Sequence, residues 1–150
     1  MTQVFPIVPA SSKTLWTIGV FALFMLVLLC FSLFIVYSSQ QVQFEIDPQK
    51  LTIRGDLYGR TIPLTSLVLD EAKLVNLNNP SPYQPAWRTN GIGLPGYLSG
   101  WFKLKNGEKA LLFVTKFQEV VYLPTQQGYA LLMSAREPSN FLETLQRLAK

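Results

Sequence analysis

Residues 101–115 read WFKLKNGEKALLFVT, and their pattern decides the class of the domain. Phe102 and Leu104 alternate with Trp101, Lys103 and Lys105, the period of a strand with one apolar face. Asn106-Gly107 follows, a pair suited to a type I′ turn because both central residues need positive φ. Residues 109–115, KALLFVT, return as a second strand. The stretch is a β-hairpin and implies a β domain around it.

Towards the C-terminus, 119–123 and 129–134 predict a second hairpin about Gln126-Gln127-Gly128. Pro138 then opens a helix over 138–149, whose Phe141, Leu142, Leu145 and Leu148 form an apolar stripe opposite Asn140, Glu143 and Arg147. Towards the N-terminus, 78–100 hold four prolines and four glycines and read as a long irregular loop. Tyr83, Trp87, Tyr97 and Trp101 make it a packed loop, since disordered segments are poor in aromatics. Residues 66–77 suit either a short helix or a strand bulged at Asp70-Glu71, and the run of strands around them favours the strand. Further strands are expected at 42–46, at 50–54 and at 57–62, the last ended or placed at an edge by Pro63.

Charge changes character before residue 45. No charged residue lies in the 31 positions between Lys13 and Glu45, although the whole chain is 15% charged. Residues 15–37, LWTIGVFALFMLVLLCFSLFIVY, match the roughly 20 apolar residues of a membrane-spanning helix. Trp16 and Tyr37 would lie about 31 Å apart along such a helix, one at each interface, with Lys13 as a flanking anchor. The run is too long for a signal-peptide core and lacks a clear cleavage site, so an uncleaved anchor is favoured. Residues 1–14 read as an irregular tail and 38–150 as the domain. Counting only the nearest basic residues keeps the N-terminus inside and puts the domain outside; a window of about 20 residues reverses the result. The nearer count is adopted here, which implies a single-pass protein of a bacterial cytoplasmic membrane with an extracytoplasmic domain.

Seven or eight strands and a closing helix describe a mainly β fold behind one transmembrane helix. Three stretches, LTIRGDLYGRTIPLTSL, WRTNGIGLPGYLSGWFKLKNGEKALLFVT and EPSNFLETL, resemble the bacterial PH-like (pleckstrin-homology-like) domains that follow membrane spans. The resemblance covers about 38–150. It implies an antiparallel barrel or sandwich capped by the C-terminal amphipathic helix, and it bears on fold far more than on function.

Composition removes much chemistry. With no histidine and Cys30 as the single cysteine, His-based catalysis, Cys or His metal sites and internal disulfides are excluded. Asp70 and Glu71 would point to opposite faces of a strand, so they are no acid–base dyad. No enzyme activity and no cofactor is expected. Gly91, Gly93 and Gly96 match GxGxxG, but no helix is expected after them, so no nucleotide site is implied. Twelve basic and nine acidic residues beyond position 37 form no dense basic run, which argues against nucleic acid.

Two binding surfaces remain. Tyr83, Trp87, Arg88, Tyr97 and Trp101 are candidates for protein contact, since aromatics and arginine anchor interfaces. Lys103, Lys105 and Lys109 flank the Asn106-Gly107 turn; by likeness to PH-like domains, this basic hairpin is the candidate for anionic lipid headgroups. The partners expected are the bilayer and another membrane or envelope protein, or a second copy of the chain.

Overall fold

The computed structural model describes residues 3, 6, 9, 11–39 and 41–148. The chain divides into two units, Met1–Tyr37 and Ser38–Lys150. The first is dominated by α1 (Ser12–Ser39). Over Ser12–Tyr37 it is 26 residues long, and its most apolar 18-residue stretch has a mean hydropathy of 2.9 with none of it buried, so it is long and apolar enough to cross a membrane. The helix begins before Leu15 because Ser11 caps it: its Oγ accepts from the Lys13 N–H at 3.3 Å. Most of the tail before Ser11 lies outside the described residues.

The second unit has two sheets and a terminal helix. One sheet is a meander of β1 (Gln43–Ile46), β2 (Lys50–Arg54) and β3 (Thr61–Pro63). The other contains β4 (Lys73–Val75), β5 (Pro85–Leu94), β6 (Tyr97–Leu104), β7 (Lys109–Val114), β8 (Val120–Pro124) and β9 (Ala130–Met133) in the order β4-β8-β9-β7-β6-β5. All pairs are antiparallel except β7 with β9, which run parallel in the register Ala110↔Ala130 to Phe113↔Met133. The helix α2 (Pro138–Leu148) follows. The sheets form an open sandwich, not a closed barrel.

Alternation along β7 splits the core in two. Leu111 and Phe113 join Leu51, Ile53 and Ile62 of the small sheet and Leu145 of α2. Ala110, Leu112 and Val114 join Val120, Tyr122, Ala130 and Leu132 on the opposite face. Because both faces of the large sheet are covered, β7 and β9 read as continuous apolar runs without alternation. Each fully buried leucine adds about 1.5–3 kcal/mol. The connection 76–84 crosses the second face from one edge of the sheet to the other. Leu77 N–H donates to the Phe117 carbonyl at 2.7 Å, and Asn106 N–H to that of Pro82 at 3.0 Å. Leu77 and Tyr83 pack on the cluster beneath.

Three expectations need correction. Residues 66–77 are not one strand: two 3₁₀ turns, Leu64–Ser66 and Leu69–Glu71, precede the short β4. Turn bonds from Leu67 N–H to Leu64 and from Ala72 N–H to Leu69 hold them, so Asp70 and Glu71 lie in a turn. The strand expected at 57–62 is reduced to Thr61–Pro63, because Asp56 folds the preceding residues into a turn through its Oδ1 and the Tyr58 N–H, 2.8 Å apart. Residues 78–100 are mostly not loop, since β5 occupies ten of them and the first half of β6 follows. Glycine permits this pairing: a Cβ on Gly91 would stand 2.3 Å from the Ser99 carbonyl oxygen, and Gly100 has φ +105°.

Candidate binding face

Register places Trp87 of β5 opposite Lys103 of β6, and Lys103 opposite Lys109 of β7. Alternation puts all three on the face that also carries Trp101. The Lys103 ammonium lies 5.6 Å from the Trp87 ring centroid, and that of Lys109 lies 4.3 Å from the Trp101 centroid. Arg60, between β2 and β3, brings its guanidinium to 5.0 Å from the same indole. Trp101 is held beneath by an edge contact with Tyr129, ring centroids 5.1 Å apart. Each cation–π contact is worth about 0.5–1 kcal/mol at exposed sites.

The electrostatics of this face are one-sided. Ion pairs among the described residues are Lys50–Asp47 and Arg54–Glu45, and neither involves these cations. Arg60 Nε is buried with no hydrogen-bond partner. Lysines directly opposite across a strand pair are unfavourable, yet Lys103 and Lys109 occupy that arrangement. Trp87 is 63% exposed beside them. The group around Trp101 therefore offers three cations and an exposed indole, and among the described residues no carboxylate is within ion-pair distance of them.

The remaining candidate residues go elsewhere. Lys105 is drawn to Gln84 Oε1 at 2.5 Å, away from the group around Trp101. Tyr83 packs on Tyr122 with centroids 4.6 Å apart, and its hydroxyl accepts from Lys73 at 2.5 Å. Arg88 lies opposite Phe102, on the other face of the sheet from Trp101. Tyr97 is buried, and its hydroxyl donates to Asp56 Oδ2 at 2.5 Å. Ser99 Oγ donates to the same carboxylate at 2.6 and 2.7 Å. Burial, and then the bond to Asp56, push the Tyr97 phenol well above its ordinary range, so it remains a protonated donor. Tyr122 is raised likewise, first by burial and then by its bonds to Glu108. Lys13, Trp16, Tyr37 and Cys30 all lie on α1.

Two residues of consequence escaped sequence reasoning. Arg60 reaches Trp101 only through the packing of one sheet on the other, and no spacing signals it. Asp56 sits in the turn after β2, and its carboxylate also ties that turn to β6. Gly91 and Gly93 lie on β5 and Gly96 in the turn to β6; a strand follows them, so there is no helix terminus to meet a pyrophosphate. Among the described residues no group of three or more Asp, Glu, Cys or His side chains is placed to hold a metal.

Comparison with known proteins agrees with this architecture. Neither a curated protein nor a solved structure matches the chain. A family profile described as "Bacterial PH domain" matches residues 42–149, which takes in every strand and the terminal helix. On that match, over well more than half of its length, the chain belongs to the bacterial PH domain family.

Proposed function

We propose that this protein is a single-pass, membrane-anchored, non-catalytic module that binds another membrane or envelope protein through the face formed by Trp87, Trp101, Lys103, Lys109 and Arg60. The observation that carries this reading is the lysine pair, Lys103 opposite Lys109, set beside an exposed tryptophan and engaged in none of the ion pairs among the described residues. A fold that keeps a like-charge pair retains a local conflict, and such conflicts collect at functional sites. Tryptophan and arginine are the side chains that most often anchor interfaces. The partner surface that fits is acidic with an apolar pocket for Trp87.

Lys13, Trp16 and Tyr37 act as the anchors of α1 at the bilayer interfaces. The domain lies on the extracytoplasmic side, and paired C-terminal reporter fusions, one active outside the cytoplasm and one inside, test that placement. For binding, the full chain is purified from membranes with and without Lys103→Glu and Lys109→Glu. A stoichiometric companion present with the parent chain and absent with the double variant supports the proposal.

A second reading is favoured by the same cations: contact with anionic lipid headgroups, at about 1 kcal/mol per basic residue near the surface. It predicts salt-sensitive association with vesicles rich in anionic lipid, lost in the double variant. Association that ignores lipid charge and salt refutes it.

A further inference from the structure

Among the described residues the two sheets leave four strand edges, and they are protected unequally. The strand β1 has four residues and carries Glu45; β3 has three and ends on Pro63; β4 has three and carries Lys73. Short length, charge and proline are the usual devices that stop an edge from pairing with another chain. By contrast β5 runs for ten residues. Its first half is protected by Pro85, Arg88 and the register shifts between Pro85 and Trp87 and between Arg88 and Asn90. From Asn90 to Leu94 it is regular, without charge, proline or bulge. In the domain the large apolar side chains left exposed are Leu57, Trp87 and Leu94, and two of these are on β5.

We propose that the free edge of β5 over Asn90–Leu94 pairs antiparallel with the same edge of a second copy, joining two six-stranded sheets into one. Charge selects this occupant. Residues 89–102 contain no Asp, Glu, Lys or Arg and so no side chain charged at neutral pH; two copies bring no like charges together there, and a foreign acidic or basic strand gains no attraction. A twofold axis between Gly91 and Ile92 sets Asn90 against the second copy's Gly93 and Thr89 against its Leu94. It also places the two Arg88 side chains at opposite ends of the pairing. The edge uses backbone that the cation-bearing face leaves free, so the pairing does not depend on the binding reading above.

The test uses the full chain in its membrane. Cys30→Ser removes the single native cysteine, and Ile92→Cys is then introduced alone and treated with a short bismaleimide. Glu143→Cys, on the exposed side of α2, is the control. A covalent dimer at position 92 and none at 143 is the expected result. No dimer at 92, equal dimer at both positions, or capture of a different protein at 92 overturns the proposal. Gly93→Glu gives a second measurement. A Cβ there meets nothing closer than 3.6 Å, and the nearest atom belongs to the Arg88 guanidinium, so the monomer accommodates the new carboxylate. The parent chain is expected to be dimeric in mild detergent, and Gly93→Glu is expected to lose the dimer with the melting temperature retained. A Gly93→Glu chain that remains dimeric, or a parent chain that is monomeric, contradicts the proposal.

Discussion

Two polar clusters sit on the same strand, β6, and they are built on opposite plans. Around Tyr97 and Ser99 the Asp56 carboxylate accepts two hydroxyls and the Tyr58 N–H, so every donor has its acceptor. Around Trp101 and Lys103, a few residues along, cations face cations and no acid answers them. The first cluster uses polar groups to fix one sheet on the other. The second keeps its charge available. Burial weights the two differently: an unsatisfied group in the interior costs about 1–3 kcal/mol, a cost the second cluster carries at Arg60 Nε, whereas the exposed charges of Lys103 and Lys109 cost little and remain free to meet a ligand.

That contrast predicts unequal responses to substitution. Asp56→Ala is the largest, because it leaves the Tyr97 and Ser99 hydroxyls and the Tyr58 N–H without their acceptor. A loss of about 3 kcal/mol or more is expected, read from thermal unfolding of the detergent-solubilised chain. Tyr97→Phe follows at about 1–2 kcal/mol at neutral pH. Its effect also depends on pH. A phenol raised above its ordinary value of 10.0 holds its proton more tightly folded than unfolded, so its stabilisation is complete below pH 10 and declines above it. The parent chain should therefore lose stability above pH 10 more steeply than Tyr97→Phe, and equal slopes would remove Tyr97 from that role.

Substitutions in the second cluster should spare the fold. Lys109→Glu exchanges the cation–π contact with Trp101, about 0.5–1 kcal/mol, for an opposite-charge pair with Lys103, about 0.2–1 kcal/mol, so stability is expected to stay within about 0.5 kcal/mol of the parent while partner binding weakens. Trp87→Ala, at an exposed position, should move stability by no more than about 0.5 kcal/mol, yet reduce binding. A Trp87→Ala chain that unfolds readily and binds normally would reverse the assignment of the two clusters.

The hairpin at 101–115 was legible because alternation and an Asn-Gly turn are local signals. The run KALLFVT was equally clear as a strand, although only the structure shows that its continuity reflects burial on both faces. The strand β5 was not legible. Its prolines, glycines and exposed polar residues are what an edge strand with bulges uses, and they are also what a loop uses. Of the candidate site, Trp87, Trp101, Lys103 and Lys109 were visible as residues, but as two separate groups. Cross-strand register joins them, and the sequence holds no local sign of it. Arg60 and Asp56 act across the two sheets, and the sheet-on-sheet packing that brings them in leaves no trace in spacing.

The most direct measurement places a photoreactive amino acid at position 87 of the full chain in living cells, with position 143 on α2 as the control. A discrete adduct with another protein at 87, absent at 143 and lost when Lys103→Glu and Lys109→Glu are added, is the predicted result. No protein adduct at 87, or one that persists when both lysines are reversed, would contradict the assignment of this face as the binding surface.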